Sequence, residues 1–221
     1  MSWLVKFFNE TELGAKILNW ITWVVSKINW KQRHAITADE KRVIQSMLEK
    51  DYYVILTRHG NHLSTVAINI AHKALTGRKG YYGHVLMNLE DEVNDPNDFR
   101  LVEAIGSGSQ FSSFDDVFGD ADSVALLKPK TLSMDDWRLI MDRAPTLTGR
   151  PYDSVYDMYN DSKLSCVELV RNALQADPDY DVCFDQLDGM LAQYKRLDPQ
   201  MYYECTEDFE VVFETRHGWG S

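Results

Sequence analysis

The sequence predicts an α+β domain in which an antiparallel sheet packs against helices, preceded by an N-terminal amphipathic helix. Three observations lead there. Hydrophobic residues make up 44% of the chain and aromatic residues 12%, the composition of a folded globular protein. Short apolar runs and segments of helical period are interleaved along one chain without an internal repeat. Two strand-like runs, 82–89 and 99–105, flank an acidic stretch, 90–98, that suits a solvated hairpin turn and would pair them antiparallel. The 221 residues suffice for one domain and an appendage, which we divide as a helical appendage, 1–34, and a main domain, 35–221.

In the appendage, Leu13, Ile17, Trp20, Ile21, Val24 and Ile28 recur with a helical period. Two roles stay open for it: packing on the main domain or a protein partner, or lying in a membrane surface with Lys6, Lys16, Lys27 and Lys31 near the headgroups. In the main domain, Thr37 and Glu40 form a capping box that starts a helix to about Lys50, with Val43, Ile44, Met47 and Leu48 inward. Tyr52–Thr57 reads as a buried strand. Leu63–Ala74 reads as a helix with Val66, Ile70 and Ala74 on one face and Gly77 as its stop. The hairpin strands follow, and their acidic turn lacks the spacing and glycine of a calcium loop. Residues 106–113, rich in Gly and Ser, read as a flexible lid or rim; without a lysine they are not a phosphate-binding loop. Ser123–Lys128 is a strand, and Ser133 caps a helix to about Leu147 that Gly149-Arg150-Pro151 ends. Ser165–Leu174 and Phe184–Lys195 are helices, and Phe209–Thr215 is a final strand.

The formal net charge is −11, distributed as +3 over residues 1–34 and −14 over the rest. An acidic domain with no basic-aromatic patch excludes nucleic acid as the partner. Three cysteines, Cys166, Cys183 and Cys205, with no Cys-x-x-Cys, make neither a disulfide framework nor a zinc ribbon. They point to a reducing compartment. The start of the chain has no signal-peptide pattern, and no run approaches the ~18 apolar residues of a spanning helix. The expectation is a cytoplasmic or virion-associated protein that uses no cofactor and no metal. His59 and His62 suggest a metal pair, but no cysteine or carboxylate cluster lies near them in sequence, so they read as the rim loop after the first strand.

The chemistry concentrates in two distant segments. In Ser165-Cys166-Val167-Glu168, Ser165 is the N-cap of a capping box and Cys166 the first helical residue. Unpaired N–H groups and the positive helix end then face the thiol and favour its anion. Cys183 and Cys205 have no such setting and read as structural. Of the six histidines, only His84 opens an apolar strand directly after a glycine. Glu103 lies on the partner strand, a lone carboxylate on a face with Phe99, Leu101 and Ile105. Such a charge needs a partner, and an imidazolium would be one.

The order His84, Glu103, Cys166, together with Gly149-Arg150-Pro151-Tyr152-Asp153 and Cys166-Val167-Glu168-Leu169-Val170, resembles the circularly permuted branch of the papain-like, NlpC-type cysteine hydrolases, in particular the YiiX/YaeF-like group. The resemblance spans roughly residues 51–174. It departs at the first strand, where the group has Gly-Asp and this chain has Lys50-Asp51 before two tyrosines. The resemblance implies a permuted papain-like fold with Cys166 as nucleophile, His84 as base and Glu103 as the group that orients it. The backbone N–H of Cys166 is the default oxyanion donor, and in the superfamily a tyrosine hydroxyl is the second, here Tyr52 or Tyr53. The implied reaction is cleavage of an amide bond, in peptidoglycan, a peptide or an isopeptide, through a thioester. Lecithin:retinol-acyltransferase-like relatives, which move lipid acyl groups, offer one alternative. A non-enzymatic module of a phage particle offers another.

Overall fold

The computed structural model describes residues 35–60, 62–89, 100–154, 158, 162–175 and 184–215. The expected N-terminal helix, the acidic turn and Cys183 lie outside them. The described chain folds in the order α1 (Ala38–Leu48), β1 (Val54–Arg58), α2 (Leu63–Thr76), β2 (His84–Leu89), β3 (Arg100–Ile105), β4 (Gly108–Ser112), α3 (Phe114–Phe118) and β5 (Ser123–Pro129). There follow α4 (Met134–Arg143), a 3-10 turn (Ala144–Leu147), α5 (Cys166–Leu174), α6 (Asp185–Tyr194), α7 (Pro199–Glu204) and β6 (Phe209–Thr215).

Several helices begin where the sequence supplies caps. Thr37 with Glu40, Ser133 with Asp136 and Ser165 with Glu168 all close reciprocal capping boxes. Gly77 ends α2 in the left-handed conformation, at φ 77°. The strands form one six-stranded antiparallel sheet in the order β4-β3-β2-β1-β5-β6. α+β architecture is therefore what the chain adopts.

Both faces of the sheet are covered. Val54, Leu56, Val85, Met87, Val102 and Ala125 point into a large core with Trp137, Ile140, Val167, Val170 and Tyr202. The alternate residues Ile55, Leu86, Leu101 and Leu126 meet Ile44, Leu48 and Phe118 on the other side. Double burial explains why β1, β2 and β5 read as unbroken apolar runs and not as alternating ones.

Two expectations change. Val43 is 46% exposed, so the inward face of α1 is carried by Ile44 and Leu48. Residues 106–113 are not a lid: Gly106 and Ser107 turn the chain, and Gly108–Ser112 adds strand β4 to β3. Gly108 makes this possible, since it sits at φ 120° and an added Cβ would fall 2.6 Å from the Arg150 carbonyl oxygen. The short helices α3 and α7 were also not legible from periodicity, being only five and six residues long.

Candidate active site

Antiparallel pairing brings alternate strand ends to one margin of the sheet. β1 ends there at Arg58, β2 begins there at His84 opposite Thr57, and β5 begins there at Ser123 opposite Arg58. β3 ends at the same margin, where Ile105 faces Gly108 of β4. A cleft of about 740 Å³ opens at this margin, lined among others by Gly83, His84, Glu103, Gly106, Tyr152 and Cys166.

The His84 Nε2–H donates to Glu103 Oε2 at 2.7 Å. Alternation from Leu86 and Leu101, which share one core, places both side chains on the same sheet face. The Cys166 thiol is the second hydrogen-bond partner of the imidazole. With Nε2 engaged by Glu103, Nδ1 is the ring atom left for the sulfur. Burial opposes the His84 cation, but hydrogen bonds to Cys166 and Glu103, reinforced by their charges, raise its pKa to about 10. Burial likewise opposes the Glu103 anion, and the hydrogen bond and charge of His84 overcome it, holding the carboxyl below its ordinary value. Ser112 of β4 donates a short hydrogen bond to the other oxygen, Oε1, of Glu103. The carboxylate is thus gripped from two sides, and Gln110 in turn donates to Ser112 Oγ at 3.2 Å. The Gly-Ser stretch was read as a loop, so Ser112 escaped notice; only the pairing of β4 with β3 reveals it.

Cys166 is the first residue of α5, which packs through Val167, Leu169, Val170 and Ala173 into the large core. The capping box engages the N–H groups of Ser165 and Glu168, while that of Cys166 is not part of it. Cys166 itself is 1% exposed, at the floor of the cleft. Cys205 contrasts with it: buried against Met190, its thiol is pushed up by burial and by Asp208, Glu204 and Asp188.

The two tyrosines expected as oxyanion donors are elsewhere. Tyr53 precedes β1 and lies five residues from Arg58, at ~3.3 Å per residue, so it sits at the opposite sheet margin. Tyr52 stacks on Trp137 with ring centroids 5.4 Å apart, inside the large core. Tyr152 lines the cleft instead, held by a bridge between Tyr152 and Leu164. No local signal in the sequence places Tyr152 at the cleft, because its bridge partner Leu164 lies well beyond its near neighbours in the chain.

A second cluster occupies the same margin. His59 Nδ1 lies 2.9 Å from Asp120 Oδ1, and His62 Nε2 lies 3.4 Å from Asp120 Oδ2. The reason for setting this histidine pair aside, a missing carboxylate nearby, holds only in sequence; the fold delivers Asp120 from just before β5. Burial keeps the His59 imidazole below its ordinary pKa despite Asp120.

No family model matches this chain, and no curated protein matches it. Among solved structures, it is similar to the crystal structure of the metalloprotein YiiX from Escherichia coli O157:H7. Identity is 15% and the TM-score 0.48, over 78% of this chain and 99% of that one. Among the described residues, no helix is long and apolar enough to cross a membrane.

Proposed function

We propose that the cleft is the active site of a cysteine hydrolase that cleaves an amide bond, on a circularly permuted papain-like domain spanning residues 35–221. One observation carries this reading: Glu103, His84 and Cys166 form a continuous hydrogen-bonded chain that ends in the cleft. A nucleophile beside a base, with the base oriented by a third group, is the arrangement thiol acyl transfer requires. The order His84, Glu103, Cys166 agrees with a permuted connection.

His84 holds the thiol proton as an imidazolium, and Glu103 holds the imidazolium. The Cys166 thiolate adds to the amide carbon, and the developing oxyanion takes the Cys166 N–H at the positive end of α5. The C–N bond breaks as His84 gives its proton to the departing nitrogen, leaving a thioester on Cys166. Water then adds to the thioester, giving a proton to His84. The C–S bond breaks, the carboxylic acid departs, and the thiolate–imidazolium pair is restored.

The lining is mixed, with Ser64, Thr65, Asp115 and Asp116 bordering the cleft beside Ile68, Ala104, Ile105 and Val117. A peptide, peptidoglycan stem or isopeptide, which carries polar backbone and apolar side chains together, suits such a lining. Residues 1–34 would serve as a separate appendage for a partner or a membrane surface.

The test is iodoacetamide alkylation of native protein across pH, read per cysteine by mass spectrometry. Cys166 should react fast below the range of ordinary thiols and lose that advantage in His84→Ala, with Cys205 slow in both. A Cys166 that behaves like an ordinary thiol in both proteins would remove the nucleophile from the proposal.

A further inference from the structure

The cleft has a second wall that the hydrolase reading does not use. His59 leaves the end of β1, His62 is the N-cap residue of α2, and Asp120 precedes β5. One ligand atom from each can be chosen so that all three lie within 4.8 Å of one another. The His59–Asp120 and His62–Asp120 separations are 2.9 Å and 3.4 Å. The two contacts run to different oxygens of Asp120, Oδ1 for His59 and Oδ2 for His62, so the carboxylate faces both rings and could meet an ion seated between them through either oxygen. The imidazoles stack at 4.9 Å and 15°, and each has a ring nitrogen within 3.4 Å of the Asp120 carboxylate.

The cluster is also braced from outside. Thr57 Oγ1 lies 3.2 Å from His59 Nε2 and so leaves Nδ1 as the ligand atom, the role of an outer-shell partner. The Gly60 N–H donates to the Asp122 carboxylate and pins the loop between the two histidines. A Cβ at Gly60 would fall 2.0 Å from Asp122 Oδ2, so a larger residue would have to displace the carboxylate that the Gly60 N–H holds. His59 is nearly covered, with a side chain 12% exposed, while His62 and Asp120 are about half exposed. Three protein ligands with one side open is the pattern of a metal site that keeps a free position. That open side borders the same cavity as His84 and Cys166.

We propose that His59, His62 and Asp120 form a binding site for one divalent transition-metal ion of the zinc class, open to the cleft that holds Cys166. Two imidazoles and one carboxylate select zinc, cobalt or nickel over magnesium or calcium. The site is distinct from the Cys166–His84–Glu103 chain and does not depend on that chain being catalytic.

The test uses the full chain, stripped with a chelator and dialysed, and titrated with Co²⁺ near neutral pH. One Co²⁺ should bind with visible d–d absorption and without the near-ultraviolet charge-transfer band of a cobalt–thiolate bond, and Zn²⁺ should displace it. Affinity should fall at least 10-fold in Asp120→Asn and in His62→Ala, and by about 10-fold in Thr57→Val through its outer-shell role. His62 is surface-exposed, and circular dichroism will show that the His62→Ala variant stays folded. Cys166→Ala should bind as the parent does. Absence of saturable one-to-one binding overturns the proposal. So does affinity unchanged in both Asp120→Asn and His62→Ala, or binding that disappears with Cys166.

Discussion

At the scale of single residues, the site depends on an acid that is buried because it is paired. Glu103 accepts from His84 and Ser112, so both of its oxygens have partners. Glu103→Gln keeps the shape but removes the charge that favours imidazolium. It should lower turnover, or Cys166 alkylation at neutral pH, by on the order of 10²-fold, the range of a general acid–base contribution. Ser112→Ala should give a smaller loss of the same kind. The pH dependence follows from the raised pKa of His84. The unfolded value is near 6.5 and the folded one about 10, so the stabilisation is complete below 6.5 and fades as the pH rises through about 10. Melting temperatures measured from neutral to strongly alkaline pH should fall in that window for the parent and not, by this route, for His84→Ala.

At the scale of elements, α5 couples the nucleophile to the core. Ser165→Ala removes the cap that satisfies Glu168 N–H, and should cost about 1 kcal/mol in chemical denaturation. It should also slow alkylation of Cys166, because the helix start that faces the thiol frays. A different joint ties α2 to α7. His72 is fully buried, with Nδ1 at 3.0 Å from Asp198 and Nε2 at 3.1 Å from Glu204. Burial opposes its charge, but hydrogen bonds and charges from both carboxylates raise its pKa above the ordinary 6.5. The tie is therefore complete below 6.5 and is lost as the pH rises through the elevated folded value. Hydrogen exchange of α2 amides should speed up over that rise, and His72→Ala should abolish the pH dependence.

At the scale of the whole molecule, stability rests on a sheet covered on both faces. Trp137 is 2% exposed and stacks on Tyr52 at the join of α4 with the sheet. Trp137→Ala should cost about 3–5 kcal/mol, measured by denaturant midpoint, since no neighbouring element can close a gap of that size. The same sheet explains why the site sits where it does. Antiparallel order carries the ends of β1, β2, β3 and β5 to one margin, and four loops converge there.

Local signals in the sequence mark the longer helices and most strands, though not β4, α3 or α7, and they single out Cys166, His84 and Glu103 as candidates. Capping boxes at Thr37, Ser133 and Ser165 announce helix starts because their hydrogen bonds span only three residues. Cys166 at a helix start and His84 at a strand start are positions that such local rules define. Other features had no local signature. Ser112 became a partner of Glu103 only through the pairing of β4 with β3, and Asp120 reached His59 across a separation of 61 residues. Tyr52 and Tyr53 look suitable by proximity to β1, yet β1 carries them to the wrong margin. By itself, the sequence determined the longer helices, most of the strands and which residues bear reactive groups, because those follow from neighbours a few positions apart. Only the tertiary structure decided which of those groups meet, because strand order and register, set by burial of two sheet faces, bring distant chain segments to one edge.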